Sequence, residues 1–89
     1  MFKPVTTKQF EKDIKLVRKR GKDLSKIYGV MSQLLEDKKL SPRCRDHWLV
    51  GDYSNRRERH IESDWLLIYR PNLAEIIFER TGTHSDLFD

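Results

Sequence analysis

The apolar positions of this chain change their spacing about halfway along, and the change separates a helical part from a strand part. Phe10, Ile14 and Val17 recur at i, i+4 and i+7, one face of a helix. Thr6 followed by Gln9 has the spacing of a capping box, and Gly21 is a fitting stop, so the pattern predicts a first helix from about residue 7 to 20. Asp23 can cap a second helix, in which Leu24, Ile27, Met31, Leu34 and Leu35 keep helical spacing to about Lys38. Its weak point is Gly29, which costs about 1 kcal/mol relative to Ala in a helix interior. The connector is short, so the two helices form an antiparallel hairpin.

"LSPRCRDH", Leu40 to His47, reads as an irregular connection, because Pro42 lacks a donor and disfavours helix before it. Beyond it, "RRERHIE" and "WLLIYR", separated by "SD", read as a β-hairpin, and "AEIIFERTG" as a further strand after a turn at Pro71 and Asn72. Residues 2 to 5 can return to the sheet as a short strand. Strand alternation places Glu58, His60 and Glu62 on one face and Arg57, Arg59 and Ile61 on the other. The expected fold is therefore α+β: two N-terminal helices packed on one face of a small, mainly antiparallel twisted sheet. The other face is left as a working surface.

Length makes this one domain over residues 1–89, since 89 residues leave no room for a second core. Charge is unevenly spread. From Lys8 to Lys26 there are eight basic and three acidic residues, including Lys12, Lys15, Arg18, Lys19, Arg20 and Lys22, so the helices carry the positive excess. Such a stretch favours polyanionic partners, RNA, DNA or an acidic protein, over a merely solvated face only if other features agree. Cys44 is the single cysteine and excludes an intrachain disulfide. No signal-peptide apolar region opens the chain, and the apolar run Trp65 to Tyr69 is far too short to span a bilayer, so no membrane role and a cytoplasmic location are expected.

The chemistry-bearing residues gather in the C-terminal half: His47, His60, His84, Asp64 in the hairpin turn, Arg80 in the last strand and Phe88 at its end. Metal binding has no supporting ligand spacing in the sequence. A Cys44 nucleophile with His47 has proximity but no further signature. Metal-free acid–base cleavage of RNA uses the whole set: a base takes the 2′-hydroxyl proton, an acid protonates the leaving 5′-oxygen, and cations offset charge on the phosphate. Histidine can do either proton job, Arg suits phosphate oxygens, and Trp48, Tyr53, Trp65 or Phe88 can stack on a base. The plain alternative for Trp65 to Tyr69 is a buried central strand, and for Glu62 a solvated edge position.

The stretch from Arg45 to Phe88, with "DHWLVG" at Asp46 to Gly51, "HIESDWLLIY" at His60 to Tyr69 and the ending "RTGTHSDLF", resembles the YafQ branch of the RelE/ParE superfamily of bacterial toxins. The resemblance implies a type II toxin, a RelE-like fold, and a ribosome-dependent endoribonuclease that cuts mRNA without a cofactor or metal and is neutralised by an antitoxin encoded beside it. It implies site positions at His47, His60, Asp64, His84 and Phe88, with Arg80 matching the Arg of RTG and Glu58 an acidic position two before the second histidine. His84 and His60 would then handle protons, His47 would share the base role or hold the phosphate, Asp64 would orient a histidine, Arg80 would stabilise the phosphate and Phe88 would stack on a base. The basic helices would meet ribosomal RNA. Ser63 stands where the branch commonly has Pro, which could loosen the turn holding Asp64. A different class remains open on the same fold: a ParE-like gyrase inhibitor or an RNA-binding module without catalysis, neither of which requires the three histidines. The ending itself, with Gly82 permitting a turn, is expected to bring His84 and Phe88 back over the face that carries His60.

Overall fold

The computed structural model describes residues 2–36, 47–48 and 56–88, with backbone alone at 47 and 48. Along the chain run β1 (Lys3–Thr6), α1 (Lys8–Lys19), α2 (Leu24–Leu35), β2 (His47–Trp48), β3 (Arg57–Glu62), β4 (Trp65–Pro71), β5 (Glu75–Gly82) and α3 (His84–Phe88). The strands form one sheet in the order β1-β5-β4-β3-β2; β1 runs parallel to β5 and every other pair is antiparallel. The two helices, the hairpin, the last strand and the returning N-terminal strand all lie where the apolar spacing predicts them. The connection around Pro42 and Cys44, and the predicted end of the second helix near Lys38, lie outside the described residues. β2 is an element that the pattern did not predict.

Central position explains the run WLLIY. Trp65, Leu67 and Tyr69 of β4 pack with Ile76, Phe78, Phe10, Val17, Ile27 and Leu34 beneath the two helices. Leu66 and Ile68 point to the opposite face and meet Leu87 of α3. A strand buried on both sides reads as continuous rather than alternating hydrophobicity. Trp65 is 1% exposed, and its Nε1–H donates to Thr81 Oγ1 at 2.9 Å. It therefore presents no ring face to RNA here, and its place among possible RNA contacts is corrected to a core role. Glu58, also named as a possible contact, is buried as well.

Helix α1 starts one residue later than the capping-box spacing indicates. Thr6 is committed to β1, opposite Phe78, so Thr7 caps the helix instead. Its Oγ1 accepts from Phe10 N at 3.0 Å and donates to Glu79 O at 2.9 Å, which ties the helix start to β5. Gln9 turns to Asp13, Nε2 to Oδ1 3.1 Å. Asp13 is a carboxylate on the buried face of α1, between Phe10 and Val17. It accepts from Arg80 Nε at 2.8 Å, Arg80 Nη2 at 3.3 Å and Thr81 N at 3.1 Å, so α1 grips the end of β5. At the other end of α1, Gly21 adopts φ +83°, a left-handed conformation that a side chain would strain, and turns the chain into α2. Among the described residues no helix is long and apolar enough to cross a membrane.

Removing Asp13 takes the acceptor away from Gln9, Arg80 and the buried Thr81 N–H, so Asp13→Ala should destabilise by about 2–3 kcal/mol. Thr7→Ala, which removes a cap, should cost about 1 kcal/mol. Urea unfolding of the two variants checks the order; equal losses would deny Asp13 its part in holding β5.

Candidate active site

Two carboxylate–imidazole pairs meet on the sheet face opposite α1 and α2. The first comes from β3, where His60 Nε2 lies 3.0 Å from Glu58 Oε1 and both side chains are largely buried. Their partners across the sheet are Ile68 for Glu58 and Leu66 for His60, the residues that face away from the helices. The second pair is formed across a larger gap in sequence. Asp64, in the β3–β4 turn, accepts from the backbone N–H of His84 at 2.9 Å and lies 2.6 Å from His84 Nδ1. The two imidazole rings stand 5.9 Å apart, and the ring of Phe88 is 6.3 Å from that of His84.

A one-residue irregularity in β3 makes this possible. His60 pairs with Leu66 but Glu62 pairs with Trp65, so Ile61 is an extra residue and the register slips. Glu58 and His60 keep the open face, while Glu62 turns to the helix side and receives Lys22 Nζ and Lys26 Nζ, each at 2.7 Å. Glu62 is thus neither on the face of His60, as strict alternation predicts, nor a solvated edge residue. Uniform alternation along a strand holds only where the pairing has no bulge.

Short α3 supplies the rest. Thr83 and Asp86 cap it reciprocally: Thr83 N donates to Asp86 Oδ2 at 2.9 Å and Asp86 N to Thr83 Oγ1 at 3.1 Å. Leu87 anchors it on Leu66 and Ile68, and Phe88 is left about half exposed beside His84. The ending "RTGTHSDLF" is accordingly an ordered part of the site.

Electrostatics fix the proton on one ring. The backbone N–H and the ring of His84 hold the Asp64 carboxyl below its ordinary value, so it is ionised at neutral pH and can only accept. His84 Nδ1 must then carry the hydrogen, and Nε2 of the neutral ring has its lone pair available. Glu58, His60 and His84 also offer one ligand atom each within 4.8 Å of one another, a group able to hold a metal ion. No local spacing pattern announces it, because the ligands come from β3 and α3.

Of the other predicted residues, Arg80 has its Nε and Nη2 on Asp13. His47 pairs through its backbone with Glu58, and its side chain is outside the description. Arg20 and Lys22 are engaged with Asp86 and Glu62 rather than turned outward, whereas Lys12, Lys15, Arg18 and Lys19 lie on the exposed side of α1. Sequence reasoning missed Asp13 and Asp86. Asp13 stood in a helical apolar stripe at i+3 from Phe10, a signal that could have been used; Asp86 gave none.

This fold and site define a toxin of a type II toxin–antitoxin system. The family described as bacterial toxin of type II toxin-antitoxin system, YafQ, matches residues 2–89, and the chain belongs to it. It is 42% identical over 81 residues to the mRNA interferase toxin YafQ of Escherichia coli strain K12, covering 90% of this chain and 88% of that one. YafQ in the E. coli DinJ–YafQ toxin–antitoxin complex superposes with a TM-score of 0.92 at 38% identity, over 99% of this chain and 98% of the other. The metal-bound toxin from Helicobacter pylori does so with a TM-score of 0.92 at 37% identity, over 99% and 100%.

Replacing Asp64 by Asn removes the charge that holds the His84 tautomer, so the Nδ1 proton resonance of His84 should weaken in ¹⁵N-resolved spectra; an unchanged resonance would refute the assignment. Acid should act through the same carboxylates. Asp64, Glu62 and Asp86 all have folded-state values below their unfolded ones, for Asp86 because Arg20 binds its charged form. Their stabilisation is complete above the ordinary values, 3.8 for the two aspartates and 4.5 for Glu62, and is lost as pH falls through the folded values. Asp86→Asn should therefore unfold at a higher pH than the parent in an acid titration followed by circular dichroism.

Proposed function

We propose that residues 1–89 act as one toxin domain that cleaves translated mRNA on the ribosome, in the cytoplasm, and is neutralised by an antitoxin encoded beside it. The observation that carries this reading is the convergence of Asp64–His84 and Glu58–His60 in a member of a family whose E. coli representative is named an mRNA interferase. The partner follows from the same likeness, since that relative crystallises with the antitoxin DinJ.

The reaction starts when the 2′-hydroxyl of the substrate RNA loses its proton to His84 Nε2 and attacks the adjacent phosphorus. The new 2′-O–P bond forms as the P–O5′ bond breaks, and His60, held by Glu58, returns a proton to the leaving 5′-oxygen. The products are a 2′,3′-cyclic phosphate and a free 5′-hydroxyl. With ring centroids 5.9 Å apart, both imidazoles can reach one phosphate. Asp64 fixes the His84 tautomer and stabilises the imidazolium that forms. Arg80, oriented by Asp13, contributes positive charge near the phosphate, His47 supports the base or the phosphate, and the exposed ring of Phe88 stacks on a base. Lys12, Lys15, Arg18 and Lys19 give α1 a cationic surface for ribosomal RNA, and Lys15, Arg18 and Lys19 border one open groove.

His84→Ala and His60→Ala should each reduce cleavage by about 10²–10⁴-fold, the usual worth of a positioned acid or base, while the folded spectrum is retained. Truncation at Thr83 is a poorer test, because it strips Leu87 from Leu66 and Ile68. In induced cells, mapped mRNA 5′-ends should fall in translated frames and vanish when initiation is blocked. Intact mRNA with DNA damage would favour gyrase inhibition instead.

A second reading has its own observation. The Glu58, His60 and His84 ligand group, together with the metal-bound Helicobacter relative, suggests that this chain can take an ion there. Such an ion would occupy ring nitrogens that proton transfer needs. Added copper or zinc should therefore inhibit cleavage reversibly, with chelator restoring it; cleavage that required the ion would overturn the metal-free assignment.

A further inference from the structure

Asp64 and His84 pose a mechanical problem. Their side chains are 63% and 53% exposed, and they stand on two different short segments twenty residues apart in sequence. Packing does not hold an exposed pair in register, yet their contact is short. Something must locate the β3–β4 turn and the start of α3 relative to each other.

Both segments are gripped from the same place. Glu62, two residues before Asp64, binds Lys22 Nζ and Lys26 Nζ at 2.7 Å each. Asp86, two residues after His84, binds Arg20 through Nη1 at 2.5 Å and Nη2 at 3.1 Å. All three cations belong to the α1–α2 connector and the first turn of α2. Arg20, Lys22, Asp64, Trp65, Gly82 and Thr83 border one small cleft, so Arg20 and Lys22 sit directly behind the Asp64 segment.

We propose that Arg20, assisted by Lys22 and Lys26, is a positioning residue that clamps the turn of Asp64 and the helix of His84 into contact. This rests on the function proposed above. Three further features support it. Arg20 meets Asp86 with two nitrogens on two oxygens, a fork geometry that fixes direction as well as distance. Asp86 is already committed to the Thr83 cap, so moving its carboxylate moves the first turn of α3 and His84 with it. Gly82 leaves no slack: a Cβ there would lie 2.8 Å from Asp86 Oδ2 and 2.9 Å from Asp86 Cβ. Partly exposed ion pairs of this kind add only modestly to global stability, so the cleavage rate and the His84 resonance, rather than unfolding, read the positional role.

The rival role for Arg20 is direct contact with RNA, and Asp86 discriminates between them. If Arg20 binds RNA, Arg20→Ala weakens binding, whereas Asp86→Asn removes a nearby negative charge and leaves binding unchanged or tighter. If Arg20 is a clamp, both variants impair the same step in the same direction. The experiment is single-turnover cleavage of ribosome-bound mRNA by Arg20→Ala, Asp86→Asn and the double variant, with the His84 Nδ1 proton resonance measured on each free protein. The clamp predicts about a tenfold or greater fall in the rate at saturating toxin, little change in the half-saturating concentration, and a weakened Nδ1 signal. It also predicts a double variant no worse than either single one. Arg20→Lys, which can reach only one oxygen at a time, should recover part of the rate. An unchanged rate and resonance in Asp86→Asn would overturn the clamp, as would a loss confined to the half-saturating concentration of Arg20→Ala. If His84→Ala still cleaves in the same assay, the proposed chemistry is what fails, and the resonance still decides the clamp.

Discussion

A single buried carboxylate fixes where the last strand ends. Asp13 lies on the apolar stripe of α1, where an unpaired charge would be very costly, and it is kept there by donors from Gln9, Arg80 and Thr81. Arg80 and Thr81 are the last residues of β5 before Gly82. Thr81 is pinned again, through its hydroxyl, to Trp65 Nε1 and Leu66 O. The point at which the chain leaves the sheet is thus set by hydrogen bonds to α1 and β4. The position of His84, two residues beyond Gly82, follows from it. The guanidinium of Arg80 is oriented by the same carboxylate, Asp13 of α1.

Division of labour between the faces follows from two departures from regular pairing. At the β3–β4 end, the extra residue Ile61 lets Glu58 and His60 stay on the open face while Glu62 turns to the lysines. Between β4 and β5, the register shifts between Ile68 and Tyr69, so Phe78 can pack with the helices while Thr81 still reaches Trp65. A sheet without these slips would either bury His60 or send Glu62 to the open face. Bulges re-aim side chains near functional sites in this way.

Much of this was legible in the sequence, and the reason is local periodicity. Phe10, Ile14 and Val17 mark their helix without help from the rest of the chain, and WLLIY between two polar turns marks a central strand. His60, Asp64, His84 and Phe88 were legible as types and positions through the family motifs. What stayed hidden is the pairing of charged residues across long separations: Arg20 with Asp86 over 66 residues, and Lys22 with Glu62 over 40. In the sequence each of these is one more charge on a helix end or in a turn, and alternation misplaced Glu62 because a bulge leaves no mark on composition. The capping-box spacing to Gln9 points to Thr6 and not to Thr7, but pairing with Phe78 commits Thr6 to the sheet and leaves the cap to Thr7. Ser63, where the branch commonly has Pro, suggested a loosened turn. Two lysines hold the adjacent Glu62 from outside, so the turn has a restraint that does not depend on its own backbone.

An exposed site on a small domain faces conflicting demands. A substrate as large as RNA needs reacting groups that open to the surface, as the half-exposed His84 does, and a chain of 89 residues has little interior to spare. Packing therefore stops at Leu87, one residue short of the exposed Phe88. Beyond it, geometry is carried by charge-assisted hydrogen bonds that reach the active segments two residues away from the reacting groups, at Glu62 and Asp86. Such contacts locate a backbone segment without covering the imidazoles, which a hydrophobic contact of equal rigidity would do. The basic connector between the first two helices thus has a use that net charge alone does not reveal. Part of the positive excess is spent inside the molecule, on its own carboxylates, and among the described residues of the two helices and their connector the outward face of α1 is left to meet a polyanion.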